Sequence, residues 1–82
     1  MITISVVLFQ HLREKTGVGE MSINLPDEST LRDLKNHLYD LYPGLYSHLE
    51  NIMVIMGRKI IVDDDKLHDA ELISFLTPIG GG

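Results

Sequence analysis

The sequence predicts a two-layer α+β domain in which one amphipathic helix packs across a mixed β-sheet. Strand-like apolar runs lie at both ends of the chain, and one segment between them has the apolar spacing of a long helix. A single helix with one apolar stripe has one good place to bury it, which is the face of a sheet. With 82 residues, the chain makes one domain with one modest core.

The amino-terminal third predicts two strands that pair. Residues 2–9 are rich in β-branched and apolar side chains on both faces, which is typical of a strand inside a sheet. Residues 10–15 predict about one helical turn, which Gly17 closes. Residues 21–25 alternate apolar and polar side chains, so they predict a half-buried strand that ends at Pro26. The two strands are close in sequence and are expected to form a hairpin-like unit with a long loop.

The main helix is predicted to begin after Thr30, which forms a capping-box pattern with Asp33. Pro43-Gly44 ends it, because the residue before a proline disfavours the helical region. Residues 45–51 predict a second short turn. The apolar stripe of the helix is expected to consist of Leu31, Leu34, Leu38 and Leu41.

The second half of the chain predicts three further strands. They cover residues 52–56, 59–62 and 72–76, with Gly57-Arg58 as a turn and Asp63-Asp64-Asp65 as a loop. The first and last strands are the most apolar, so we expect them inside the sheet, parallel and side by side, joined by a crossover that holds the helix. That arrangement is the β-grasp, or ubiquitin-like, fold. Met53 and Met56 are expected to fill the core.

Composition excludes several classes of function. The net charge of −5 argues against a nucleic-acid partner, since phosphate binding needs a basic patch. The absence of cysteine excludes a disulfide scaffold, a thiolate metal site and a cysteine nucleophile. No apolar run approaches the ~18 residues that a membrane-spanning helix needs, and the first residues lack the basic region of a signal peptide. We therefore expect a cytoplasmic protein with neither nucleic acid nor membrane as a partner.

Two groups of side chains could be taken for parts of a metal site. Asp63-Asp64-Asp65 with His68 lacks the ligand series and closing glutamate of an EF-hand loop, so a solvated turn is favoured. Asp33 and His37 lie one helical turn apart, but two ligands do not make a site. We expect no metal. The chain also shows no nucleophile or acid–base pair that indicates an enzyme acting alone.

Three glycines, Gly80-Gly81-Gly82, end the chain shortly after the last predicted strand. Glycine is costly to order and has no Cβ, so a glycine tail can thread a narrow slot in another protein. Such a tail is useful where the α-carboxylate itself reacts. A frayed end without a function is the alternative, since disorder concentrates at termini. We predict a domain over residues 1–78 and a flexible tail over residues 79–82.

The carboxyl-terminal third resembles a known family. Residues 67–72, Leu-His-Asp-Ala-Glu-Leu, are similar to a leucine followed by an Asp-Gly-Asp-Glu turn into that family's last strand. Residues 75–79, Phe-Leu-Thr-Pro-Ile, resemble its Phe-Phe-Pro-Pro-Val, and Gly81-Gly82 matches its terminal diglycine. Residues 7–14 also fit its first strand and the turn after it. The family is that of the molybdopterin synthase small subunit (MoaD), with its relative, the thiamine sulfur carrier ThiS.

The chain departs from the family pattern at four positions. Ala70 stands where glycine is usual, and Gly80 stands where alanine, serine or threonine is common. Leu76 replaces a frequent phenylalanine, and Thr77 a frequent proline. These departures keep the diglycine but leave the branch of the family open.

The resemblance implies a sulfur carrier for molybdopterin synthesis. An adenylyltransferase of the ubiquitin-activating type would use ATP to convert the Gly82 carboxylate into an acyl-adenylate. A sulfur donor protein would then displace AMP and leave a C-terminal thiocarboxylate. The carrier would bind no cofactor and would act as a subunit of molybdopterin synthase, not as an enzyme on its own. The implied site residues are Gly81 and Gly82 at the reacting end, and Phe75, Leu76, Pro78, Ile79 and Gly80 toward the large subunit.

The alternation of the last strand divides these residues between two faces. Ile73 and Phe75 share one face, which we expect to be mainly core. Leu76 and Ile79 are expected to be exposed in the free protein and buried by the partner. A sulfur carrier for thiamine or amino-acid synthesis, and a protein modifier joined to lysines through Gly82, are the alternative functions of the same fold.

Overall fold

Across residues 1–9, 11–45, 49 and 52–76, which the computed structural model describes, five strands, two α-helices and a 3₁₀ turn follow one another. The strands are β1 (Ile2–Leu8), β2 (Glu20–Leu25), β3 (Met53–Met56), β4 (Lys59–Ile61) and β5 (Leu72–Leu76). The helices are α1 (His11–Thr16) and α2 (Leu31–Leu41), and the 3₁₀ turn is Pro43–Leu45. The predicted strands and the main helix are confirmed.

The strands form one mixed sheet in the order β2-β1-β5-β3-β4. β1 and β5 are parallel, with Val6 opposite Ile73 and Leu8 opposite Phe75. The other neighbouring strands pair antiparallel. The predicted parallel pairing of the first and last strands is confirmed, and the connection between these strands holds α2, as a β-grasp requires.

Helix α2 begins at the predicted cap. The Thr30 hydroxyl accepts a hydrogen bond from the Asp33 backbone N–H at 3.4 Å, and the Asp33 carboxylate accepts one from the Thr30 N–H at 2.8 Å. The next N–H groups are satisfied from another part of the chain, because Leu31 and Arg32 donate to the carbonyls of Asp65 and Asp63, both at 3.0 Å. The loop after β4 therefore holds the start of α2 in place.

The core lies between α2 and one face of the sheet. Its most deeply buried members include Ile4, Val6, Leu8, Leu34, Leu38, Ile73 and Phe75, each 0% exposed. The prediction that Leu41 belongs to this core is wrong, since Leu41 is 52% exposed. Leu41 is the last residue of the helix, and at this end Leu45 of the following 3₁₀ turn is buried instead, at 1% exposure.

The turns at Gly57 and Ala70 place the backbone in the left-handed region, with φ of 65° and 66°. Glycine reaches this region freely, whereas a residue with a Cβ is disfavoured there by ~1–2 kcal/mol. The Ala70 N–H donates to the Thr3 carbonyl at 2.8 Å, which fixes the turn against β1. Ala70, which stands where the resembled family has glycine, therefore has a backbone conformation that favours glycine.

Candidate functional site

The predicted site residues divide into a described and an undescribed part. Phe75 and Leu76 end β5, which lies between β1 and β3 in the sheet. Pro78, Ile79 and the three glycines Gly80–Gly82 lie outside the described residues, so their assignment stays a prediction. The structure describes the predicted site up to Leu76, the last residue of β5.

The two faces of β5 have opposite environments. Ile73 and Phe75 are fully buried, whereas Leu72 is 49% exposed and Leu76 is half-buried. The assignment of Ile73 and Phe75 to the core face is confirmed. The Phe75 side chain has no exposed surface, so it belongs to the core and, in the free protein, offers no surface to a partner. Among the described residues, Leu76 is the predicted partner-binding residue on the other face, where it is half-buried and not, as expected, exposed.

A row of mostly apolar residues crosses this other face of the sheet, with Ser74 as its polar member on β5. Strand pairing sets Val7 opposite Ser74, Ser74 opposite Ile55, and Ile55 opposite Ile60. Paired residues project to the same side of a sheet, so the row runs over β1, β5, β3 and β4. Ile60 is 60% exposed, and Val7 and Ile55 are half-buried.

A second contact extends the row toward the carboxyl end of β5. Leu76 lies opposite Met53, which is 42% exposed. The expectation that Met53 fills the core is therefore wrong; its neighbour Val54 pairs with Phe75 on the core side. Met56 is half-buried against the core, as expected. We call the whole apolar surface the outer patch, and it consists of Val7, Met53, Ile55, Ile60, Leu72 and Leu76.

The outer patch changes to a polar surface on β2. Pairing sets Glu20 opposite Val7 and Ser22 opposite Ser5, and both β2 side chains are exposed. The apolar surface therefore extends over β5, β3, β4 and the end of β1 but not onto β2. Exposed apolar patches of this kind mark sites of protein–protein contact. The sequence signal for it is the presence of apolar residues on both faces of β1, a pattern that is also typical of a strand inside a sheet.

The acidic loop after β4 has a structural role. Asp63 pairs with the Lys35 ammonium at 2.7 Å, Asp64 pairs with Arg32 at 2.8 Å, and Asp65 accepts from the Val62 N–H at 2.8 Å. A groove between α2 and β3–β4 lies beside it, but its charged side chains are already paired, Lys35 with Asp63 and Asp64 with Arg32. Over the part of the chain that the structure describes, no group of histidine and carboxylate side chains has the arrangement of a metal site. Among the same residues, no helix has both the length and the apolar character needed to cross a membrane.

Comparison with known proteins agrees with this geometry. The ThiS family matches residues 6–82. A molybdopterin synthase sulfur carrier subunit from Dictyostelium discoideum is 31% identical over 80 residues, covering 94% of this chain and 93% of that protein. Another, from Arabidopsis thaliana, is 25% identical over 81 residues, covering 99% of this chain and 84% of that protein.

A solved structure gives the same fold. Small archaeal modifier protein 1 of H. volcanii has a TM-score of 0.87 at 16% identity, covering 96% of this chain and 100% of that one. A second match is to a complex of subunits 1 and 2 of the molybdopterin-converting factor of Helicobacter pylori, with a TM-score of 0.70 at 21% identity, covering 99% of this chain and 100% of that one. These likenesses establish the β-grasp architecture.

Proposed function

Because the chain belongs to the ThiS family, whose match runs over residues 6–82, we propose that it is a sulfur carrier for molybdopterin synthesis. The observation that carries the proposal is the match to molybdopterin synthase sulfur carrier subunits over nearly the whole chain, at up to 31% identity. The terminal Gly81-Gly82 supplies the reacting end. On this proposal the protein acts in the cytoplasm as the small, non-catalytic subunit of a transferase complex.

The chemistry takes place at the Gly82 carboxylate. A carboxylate is a poor electrophile, so an adenylyltransferase first joins it to AMP from ATP and releases pyrophosphate. A sulfur donor protein then delivers sulfur at the oxidation level of sulfide. The new C–S bond forms as the C–O bond to AMP breaks, which leaves a thiocarboxylate and AMP.

The role of the chain in this chemistry is to position the sulfur. Holding the sulfur on a tail that enters the large subunit turns a dilute reagent into a local one. The outer patch supports docking of such a partner, because Leu76 is the last described residue before the tail. A partner that encloses the tail also comes close to Leu76 and Met53, which are paired at the same end of the sheet.

Intact-mass measurement tests the proposal. The protein is incubated with the activating enzyme, ATP and a sulfur donor, and compared with a variant lacking Gly82. We expect the full chain to gain the mass difference between one sulfur and one oxygen, and the shortened chain to remain unchanged. Equal loading of both proteins, or no loading of either, would contradict the proposal.

The alternative of a protein modifier is tested in cell extract. A modifier joined through Gly82 forms isopeptide conjugates with lysines in cell extract, whereas a sulfur carrier requires only the thiocarboxylate. Conjugates in place of a thiocarboxylate would favour the modifier. Co-purification with a pterin-binding large subunit distinguishes the molybdopterin pathway from thiamine or amino-acid synthesis.

A further inference from the structure

Strand β2 is a long, open edge of the sheet. It spans Glu20–Leu25, lies at the end of the strand order and, among the described strands, pairs only with β1. Glu20, Ser22 and Asn24 are exposed, and the strand contains neither proline nor lysine. The other edge, β4, has three residues and includes Lys59. Short length and charges that are left without a partner protect an edge from pairing; β2 is six residues long, and its one charged residue, Glu20, lies at its first position.

The hydrogen-bond pattern identifies which backbone groups of β2 are free. The Leu8 N–H donates to the Gly19 carbonyl at 2.8 Å, so this pair is a hydrogen-bonded one. In an antiparallel pair such positions alternate, so Met21, Ile23 and Leu25 bond to β1. Glu20, Ser22 and Asn24 therefore direct their N–H and C=O groups away from β1. Within the described part of the chain, none of these groups has a hydrogen-bond partner among the loop and turn contacts.

The sequence of β2 is complementary to itself in one antiparallel register. With Ser22 opposite Ser22 of a second copy, Glu20 faces Asn24 and the two strands exchange hydrogen bonds at all three outward positions. Met21 then faces Ile23 on the core side, which places apolar side chains together. No like charges are opposed in this register, whereas a shift that sets Glu20 against Glu20 would oppose them.

The side chain of Asn24 is prepared for this pairing. Its Oδ1 accepts a hydrogen bond from the Thr3 hydroxyl at 2.7 Å, which fixes the amide and leaves the Nδ2 hydrogens without a partner among the described residues. Those hydrogens can be donated to the Glu20 carboxylate of the second copy. The same contact occurs twice, once on each side of the two-fold axis through the Ser22 pair.

We propose that β2 is a self-association surface, on which a second copy of this chain adds its own β2 in the register centred on Ser22. The two sheets become one continuous sheet, with both outer patches on the same side. The ends of the two β5 strands point in opposite directions, because the paired β2 strands are antiparallel. The carriers are therefore joined without covering the outer patch, and the proposal does not depend on the sulfur chemistry.

Substitution of Ser22 tests the edge pairing. The Ser22 N–H is directed outward, so Ser22→Pro removes a donor that the single copy does not use. Ser22→Ala keeps the N–H and is the matched control. In sedimentation velocity at protein concentrations up to about 1 mM, we expect a wild-type monomer–dimer equilibrium that Ser22→Ala retains. We expect Ser22→Pro to raise the dimer dissociation constant by roughly tenfold or more.

Substitution of Asn24 tests the register. Asn24→Lys sets a lysine against Glu20 twice in the dimer, and Asn24→Asp sets an aspartate there. Asn36, exposed on α2, provides controls with the same changes of net charge, Asn36→Lys and Asn36→Asp. Relative to these controls, we expect Asn24→Lys to tighten the dimer by roughly two- to tenfold and Asn24→Asp to weaken it similarly. Added salt should reduce both differences.

Three results would overturn the proposal. The first is a wild-type protein that stays monomeric over the whole concentration range. The second is a dimer that a folded Ser22→Pro variant retains, especially if Leu76→Asp abolishes it, since that outcome places the contact on the outer patch. The third is an Asn24 series that matches the Asn36 series. If Ser22→Pro fails to fold, the Asn24 series decides alone.

Discussion

Leu76, the last residue of β5, lies opposite Met53 on the outer face of the sheet. Its neighbour Phe75 lies opposite Val54 on the inner face and is fully buried. Two consecutive residues therefore have separate roles. Phe75 packs in the core, and Leu76 presents apolar surface on the outer patch.

The first prediction concerns binding through Leu76. Leu76→Asp places a charge in the outer patch and should weaken binding to the large subunit by at least ~2 kcal/mol, the scale of an interface hot spot. Because Leu76 faces outward, the melting temperature should change little. Asn36→Asp, with the same change of charge on α2, is the control and should bind normally. Isothermal calorimetry and thermal melts measure the two effects, and unfolding of Leu76→Asp would show that Leu76 belongs to the core.

The second prediction compares the unfolding free energies of variants at Phe75 and Leu76. Phe75→Ala should cost about 3–5 kcal/mol of unfolding free energy, because it leaves a cavity between β5 and α2. Leu76→Ala should cost less than about 1 kcal/mol, since its side chain faces outward and part of it is already in water. Urea denaturation of both variants measures the difference. Similar costs for the two would mean that β5 does not alternate between core and surface in solution.

The third prediction concerns two turns with the same backbone conformation. Ala70→Gly should stabilise the protein by up to about 1 kcal/mol, since it removes a Cβ from the left-handed region at some cost in chain entropy. Gly57→Ala should destabilise it by a similar amount for the opposite reason. Space alone does not forbid the new methyl, because its nearest neighbour is the Glu71 carboxylate at 3.6 Å. Thermal melts of the two variants under the same conditions check this prediction, and melting temperatures that shift in the same direction would contradict it.

The fourth prediction concerns the tail and comes from the sequence alone. A side chain at Gly81 adds a Cβ one residue from the reacting carbonyl, whereas Gly80 stands where the resembled family accepts small side chains. Gly81→Ala should therefore slow sulfur loading or transfer more than Gly80→Ala does. Neither change should alter stability by more than ~0.5 kcal/mol. Equal transfer rates for the two variants would show that the partner does not distinguish the two positions.

Local patterns in the sequence account for most of the fold. The alternation of residues 21–25, the capping box at Thr30 and Asp33, and the turn at Gly57 each depend on neighbours a few positions away. The sequence is enough to predict such features, because their backbone conformation and short-range hydrogen bonds depend on neighbouring residues. The terminal diglycine is likewise read directly from the sequence.

Only the tertiary structure decided which apolar residues are buried. Leu41 continues the helical pattern and Met53 begins an apolar strand, yet both are exposed. Burial depends on what packs against a side chain, and for these residues the answer comes from segments distant in sequence. The outer patch arises in the same way, since strands β1, β5, β3 and β4 each contribute one or two ordinary apolar residues. Their alignment into one surface is a consequence of strand order and register, which no local pattern contains.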